Sequence, residues 1–167
     1  DERPKIIDLK SRIGDWEGDT VIGKGRKNAF VTMVERKTLY TVVQRIESKH
    51  AEITADALIN SMKAYKDMVI TVTLDNGKEF AQHERIAKEL DADVYFAHPY
   101  SSWERGINEN TNGLLRRYFP KGTDFMTLKD KEIQAVVDKL NHRPRKTRGF
   151  KTPHELFTGQ SEILVAA

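Results

Sequence analysis

The sequence predicts a mixed α/β domain in which helices cover the faces of a single sheet, and three observations carry that expectation. Residues 13–22 (IGDWEGDTVI), 29–34 (AFVTMV) and 39–46 (LYTVVQRI) are rich in β-branched and aromatic residues, and the turn-forming stretches GKGRKN and ERKT separate them. They read as a three-stranded antiparallel meander. Residues 68–74 (MVITVTL) form an almost wholly apolar run, as a strand covered on both faces would. From residue 53 onward the period alternates between helix and strand, which adds two strands to the meander and gives five in all.

The later elements follow from spacing. Ile53, Ala57, Leu58, Met62 and Tyr65 recur at helical intervals, so 53–67 is expected to be a helix. Further helices are expected at about 79–90, 106–119 and 128–140, with a short strand at 93–96 (DVYF). TPHELF (152–157) carries a helix start: Thr as cap, Pro at the first position and Glu in the first turn. No internal repeat, low-complexity segment or domain boundary interrupts the chain, so 1–157 is expected to form one domain and 158–167 a tail.

Composition narrows the function classes. Charged residues make up 32% of the 167 but the formal net charge is only +3, which permits a nucleic-acid partner without requiring one. The sequence has no cysteine, which excludes disulfides and thiolate metal sites. No apolar run approaches the ~20 residues of a membrane-crossing helix, and no signal peptide is apparent, so a soluble protein without membrane contact is expected.

The chemistry is carried by acids. Asp15, Glu17 and Asp19 alternate along the first strand and so point the same way, toward either an exposed face or a site. Asp75 ends the most apolar strand and is followed by Asn76 and Gly77; this is a turn signal, and also the carboxyl edge where open α/β sheets hold ligands. GINENTNGLLRRYF (106–119) is amphipathic. At about 100° per residue, Ile107, Thr111, Leu114 and Tyr118 lie opposite Glu109, with Leu115 near them, while Asn112, Gly113 and Arg116 lie toward Glu109. A strand Asp, a strand-end Asp and a helix Glu can converge on one sheet edge. Two unit charges ~4 Å apart repel by about 4 kcal/mol at an effective dielectric of ~20, so a convergence of that kind needs a cation. Carboxylates without cysteine, and with five scattered histidines, favour Mg²⁺ or Mn²⁺. Two such ions suit in-line phosphoryl displacement.

WEGD (16–19), LDNGKEF (74–80), HPYSSWERGINENTNGLLRRYFPKGTDF (98–125) and LNHRPRKTRGFKTPHELF (140–157) together resemble the catalytic core of bacterial DDE transposases. The resemblance is to insertion sequence family thirty, within the retroviral-integrase and ribonuclease-H-like superfamily, and runs from about Arg3 to Phe157. It implies a ribonuclease-H-like fold with a mixed five-stranded sheet flanked by helices. It also implies an acid triad on Asp19, Asp75 and Glu109, with 33 residues between the last two, holding two Mg²⁺ or Mn²⁺ ions. The implied activity is cleavage of transposon ends and joining of the 3′-hydroxyl to target DNA, by a dimer or larger assembly on double-stranded DNA in the bacterial, nucleoid-associated cytoplasm. An N-terminal helix-turn-helix region is expected in the full-length protein and absent from this sequence. A nuclease that only hydrolyses, or a non-catalytic DNA-binding module, would share much of the pattern. Arg148 departs from the apolar residue common at that position.

Several residues are candidates for DNA contact. Arg143, Arg145, Lys146, Arg148 and Lys151 place five positive charges in nine residues with no acid between them. Arg116 and Arg105 lie on or beside the active-site helix, where Arg116 could meet a phosphate or pair with Glu109. Trp103 and Tyr100 could stack on an unpaired base or anchor their loop to the core. His98, just ahead of that helix, is the one histidine placed near the acids.

Overall fold

The computed structural model describes residues 2–160. The tail expected beyond residue 157 therefore lies mostly outside the described residues. Along the chain run α1 (Ile6–Leu9), β1 (Asp15–Ile22), β2 (Ala29–Glu35), β3 (Thr41–Ile46), α2 (Ala51–Met62), β4 (Thr71–Leu74), α3 (His83–Leu90), β5 (Asp93–Phe96), α4 (Gly106–Tyr118), α5 (Asp130–Asn141) and α6 (Pro153–Thr158). The five strands form one sheet in the order β3-β2-β1-β4-β5. β1, β2 and β3 pair antiparallel as the expected meander, and β4 and β5 add in parallel beside β1.

Sheet register places the acids. Asp15, Trp16 and Glu17 of β1 face Thr71, Val72 and Thr73 of β4, so the next two levels set Gly18 by Leu74 and Asp19 by Asp75. Asp19, late in β1, and Asp75, just past the end of β4, thus lie at neighbouring places on the sheet edge. The alternation that points Asp15, Glu17 and Asp19 one way sends Trp16 and Gly18 the other way, into the larger core beneath α2 and α3. Gly18 is required there by space: a Cβ at that position would sit 2.6 Å from Leu74 Cδ2 and 2.9 Å from Met33 Sδ.

Two hydrophobic cores sandwich the sheet. On one face Trp16, Met33, Leu58, Met62, Val72 and Phe80 pack together, and α6 closes the edge by seating Phe157 on Trp16 and stacking it 4.2 Å from Tyr40. The start of α6 is fixed by a capping box between Thr152 and Glu155, as its sequence predicts. On the other face, Val21 and Phe30 meet Leu115, Phe119, Phe125, Val137 and Leu140 of α4, α5 and their connection. That second face is the one bearing the acids, so α4 lies across them.

One expectation is corrected here. α4 packs through Ile107, Asn108, Thr111 and Leu115, while Leu114 is only partly buried and Tyr118 is exposed. The wheel is therefore turned from the expected Ile107–Leu114–Tyr118 face, because Asn108 is drawn in and the helix must bring Asn112 down to the sheet. The basic connector 141–151, which carries five of the candidate DNA-contact charges, is folded. A bridge joins Arg145 to Lys151, and Arg148 donates from Nε to the Lys37 carbonyl (2.7 Å) and from Nη2 to the Arg36 carbonyl (3.1 Å). The guanidinium thus replaces the common apolar residue by tying the connector to the β2–β3 turn.

Replacing Leu115 by Ala is expected to lower unfolding stability by about 2–5 kcal/mol, and replacing Leu114 by clearly less. Chemical denaturation of both variants measures the difference; equal losses would contradict the observed rotation of α4.

Candidate active site

The strand acids are not an exposed face. Asp15 is buried and paired with Arg12 (2.9 Å), and it accepts from the Thr71 hydroxyl (2.8 Å). Glu17 is buried 3.4 Å from the Arg36 guanidinium. Burial raises its carboxyl to about 7, with Arg36 opposing the rise. Each thus faces an arginine of the framework, Asp15 through hydrogen bonds and Glu17 through charge alone. Asp19, further along β1, is the only one of the three with some solvent exposure, its side chain 14% exposed.

Around Asp19 the protein supplies a specific cradle. The Thr20 amide donates to Oδ1 (2.8 Å), and the Asn112 amide nitrogen donates to Oδ2 (2.9 Å). The Thr32 hydroxyl donates to Asn112 Oδ1 (3.3 Å) and so fixes the amide's orientation. Asn112 is therefore a clamp from α4 onto the β1 acid, which explains why the helix carries asparagine on its polar side. Burial raises the Asp19 carboxyl, with the Arg105 cation opposing and Asp75 adding to the rise.

Asp75 follows β4 and turns back on itself, accepting from the Gly77 amide at Oδ1 (3.0 Å). A Cβ at Gly77 would lie 2.8 Å from Asp75 Oδ1 and 2.4 Å from Glu79 Oε2, so a larger residue there would push both carboxylates aside. Glu79, which sequence reasoning misses, accepts from Thr20 (3.1 Å) and pairs with Lys49 (3.0 Å), bracing the edge beside Asp19. Its signal is its place in LDNGKEF, four residues beyond Asp75.

Asp75 and Glu109 line one open cleft of about 650 Å³, together with Asn76, Gly77, His98, Tyr100 and Arg105. Arg105 holds the acids together. Its Nη2 lies 2.8 Å from Asp19 Oδ1 and its Nη1 3.5 Å from Asp75 Oδ2. Expected as a DNA contact, Arg105 instead sits between the two aspartates. Glu109, one turn into α4, is exposed on the same cleft. Among the described residues no three His, Cys, Asp or Glu side chains gather tightly enough to enclose an ion in this conformation. The site is therefore two aspartates bridged by a guanidinium, with the glutamate at the rim. Its candidate ligand atoms are all carboxylate oxygens, the set that suits a hard divalent cation.

The loop leading into α4 is anchored by a second group that sequence reasoning misses. Glu104 accepts from the His98 amide (2.6 Å) and lies 3.7 Å from Arg3, while its carbonyl accepts from Arg36 Nη1 (2.9 Å). Arg36 also donates to the Ile7 carbonyl (3.1 Å), and Arg3 donates to Thr73 (3.0 Å). These contacts join residues as far apart in the chain as Arg3 and Glu104, so no local pattern announces them.

The expected DNA contacts divide. Trp103 and Tyr100 are strongly exposed near the cleft and do not anchor their loop to the core. Arg143 and Lys146 are exposed. Arg145 is buried, donating from Nη2 to the Leu140 carbonyl (2.8 Å). Arg116 donates to the Ile22 carbonyl (2.7 Å) rather than pairing with Glu109. In this structure these last two guanidiniums each hold a backbone carbonyl.

The chain matches the family model described as integrase core domain over residues 10–102, and it belongs to that family. It is 48% identical over 157 residues to the transposase for insertion sequence element IS4351 of Bacteroides fragilis, a match covering 94% of this chain and 48% of that protein. It is 41% identical to the transposase for IS30A of Escherichia coli K12, covering 93% of this chain and 41% of that one. The chain thus spans about half the length, or less, of these curated relatives. Among solved structures it is similar to the catalytic core domain of BIV integrase (20% identity, TM-score 0.64, 92% of this chain and 98% of that one). The HTLV-2 integrase catalytic core, solved in complex with magnesium, gives a TM-score of 0.65 at 19% identity, covering 87% and 97%. The fold is that of the retroviral integrase cores, a ribonuclease-H-like sheet.

Arg145→Ala is expected to lower the melting temperature and leave the salt dependence of DNA binding unchanged. Arg143→Ala with Lys146→Ala should do the reverse, reducing the slope of log affinity against log salt by roughly one unit for each phosphate no longer neutralised. Melting curves and salt-titrated binding to duplex DNA separate the two roles.

Proposed function

We propose that this chain is the catalytic domain of a DDE transposase. It hydrolyses the phosphodiester at a transposon end and then joins the freed 3′-hydroxyl to target DNA by a second displacement at the same site. The observation that carries this reading is the meeting of Asp19 of β1 and Asp75 at the end of β4 on one guanidinium, that of Arg105, with Asp75, Arg105 and Glu109 of α4 lining one cleft. The relatives named as transposases, at 41–48% identity across nearly all of this chain, support it.

The residues present fit a divalent cation. A cation already lies between the two aspartates in the form of the Arg105 guanidinium, and the donors around it are all oxygens. Asp19, Asp75 and Glu109 would hold Mg²⁺ or Mn²⁺, two ions by the family pattern, to supply positive charge at the attacking and leaving oxygens. The protein's own part is orientation. Asn112 and the Thr20 amide fix the Asp19 carboxylate, and the Gly77 amide fixes that of Asp75. The cleft admits a phosphodiester beside them, with exposed Tyr100 and Trp103 at its approach to stack on flanking bases. Arg143 and Lys146 are assigned to backbone phosphates.

The substrates are double-stranded transposon ends and target DNA, handled by a dimer or larger assembly in the bacterial cytoplasm. Structural neighbours include a chain of the simian T-cell lymphotropic virus intasome, solved in complex with PP2A regulatory subunit B56 gamma (TM-score 0.71, 18% identity, covering 90% of this chain and 56% of that one). Recognition of the ends is assigned to the portion of the transposase relatives that this chain does not match, where an N-terminal helix-turn-helix is expected.

Glu109→Gln is expected to retain the fold and melting temperature while losing Mn²⁺-dependent strand cleavage of end-bearing DNA. The wild-type protein should also join a pre-cut end to a plasmid. Wild-type cleavage by the variant would remove Glu109 from the site, and cleavage without joining would favour a hydrolytic nuclease.

A further inference from the structure

The bridge made by Arg105 uses the oxygens that a cation would use. Asp19 Oδ2 is taken by Asn112, and Asp75 Oδ1 by the Gly77 amide. The guanidinium touches the other oxygen of each carboxylate, Asp19 Oδ1, which also accepts from the Thr20 amide, and Asp75 Oδ2, at 2.8 and 3.5 Å. A divalent ion held by the two aspartates would compete with the guanidinium for the same carboxylates, as a like charge in the same space.

Two features make Arg105 suited to leave. Its Nε is buried without a hydrogen-bond partner, so the bridged position leaves one donor desolvated and uncompensated. Its backbone, by contrast, is fixed: the Arg105 carbonyl accepts from the Glu109 amide (3.2 Å) at the start of α4, and Glu104 beside it is tied down by His98 and Arg36. Rotation about the side-chain bonds therefore moves the charge without moving the helix that carries Glu109. The cleft lip offers it a polar resting place near Ser101 and Ser102, which line the same cavity.

We propose that Arg105 is a displaceable counter-cation: it holds Asp19 and Asp75 together before metal arrives, competes with the divalent ion for the bridging oxygens, and on displacement turns its guanidinium into the cleft toward a DNA phosphate. The inference rests on the reading of Asp19 and Asp75 as metal ligands. It makes Arg105 a positioning residue for the acids in one state and a phosphate contact in the other. It also couples the two ligands, because metal binding adds a free positive charge to the DNA cleft, and a phosphate that captures Arg105 keeps it from returning to the acids.

The test is Mn²⁺ binding by calorimetry, without DNA, to the wild type and to Arg105→Gln, Asp75→Asn and Asp19→Asn variants, each checked for native melting. Arg105→Gln is expected to bind Mn²⁺ at least about tenfold more tightly than the wild type, as removal of a competing charge requires, while both aspartate variants lose most of the binding. Equal or weaker binding by Arg105→Gln, with binding still lost in the aspartate variants, overturns the counter-cation role alone. Undiminished binding in the aspartate variants instead overturns the metal-ligand reading beneath it. A readout on the unmutated protein runs alongside: the Arg105 Nε–H resonance is expected to shift with saturable Mg²⁺ dependence. A resonance that stays fixed while others report Mg²⁺ binding contradicts displacement.

Discussion

Two carboxylates held at neighbouring places on one sheet edge constrain everything around them. Parallel pairing of β1 with β4 sets Asp19 beside Asp75 whether or not a positive charge is at hand. Left alone, that pair would repel by several kcal/mol in a partly desolvated cleft. The fold meets this with a guanidinium from the turn before α4, an amide clamp from Asn112 and a backbone amide from Gly77. The rest of the architecture keeps those three donors in place. α4 must lie across the acid-bearing face to deliver Asn112 and Glu109, and the second core of Phe30, Leu115, Phe125 and Val137 holds it there.

Charge compensation also sorts the other acids of β1. Asp15 and Glu17 point to the same face as Asp19, but each meets an arginine that belongs to the framework: Arg12 in one case, Arg36 in the other. Arg36 further reaches the Ile7 and Glu104 carbonyls, so one buried guanidinium joins α1, β1, β2 and the loop before the active-site helix. Buried charge of this kind is a costly way to gain stability, since desolvation offsets much of the attraction. Its effect here is geometric. It fixes the backbone on either side of Arg105, so that what can move near the acids is a side chain.

Much of this is legible in the sequence. The period-two runs around the meander, the apolar strand ending in Asp75 and the capped start of α6 follow from local chemistry, and each appears near its expected place. The acids are legible as candidates from alternation and strand-end position, and a family resemblance singles out Asp19, Asp75 and Glu109. What is not legible depends on contacts far apart in the chain. The rotation of α4 follows from Asn112 reaching Asp19, a contact across 93 positions. Arg145 looks like one basic residue among five, and only the closed connector turns it inward to the Leu140 carbonyl. Arg105, in a loop of DNA-binding candidates, resembles a phosphate contact in sequence; its place between two aspartates is set by sheet register and helix docking together.

If Asp19, Asp75 and Glu109 form one cation site at the sheet edge, anomalous diffraction from a crystal soaked in Mn²⁺ shows it most directly. The expected result is a manganese peak in contact with Asp19 Oδ1 and Asp75 Oδ2, with the Arg105 side chain turned away and Glu109 drawn toward the ion. Manganese bound only at other carboxylates, with the guanidinium still bridging the two aspartates at saturating concentration, would contradict it.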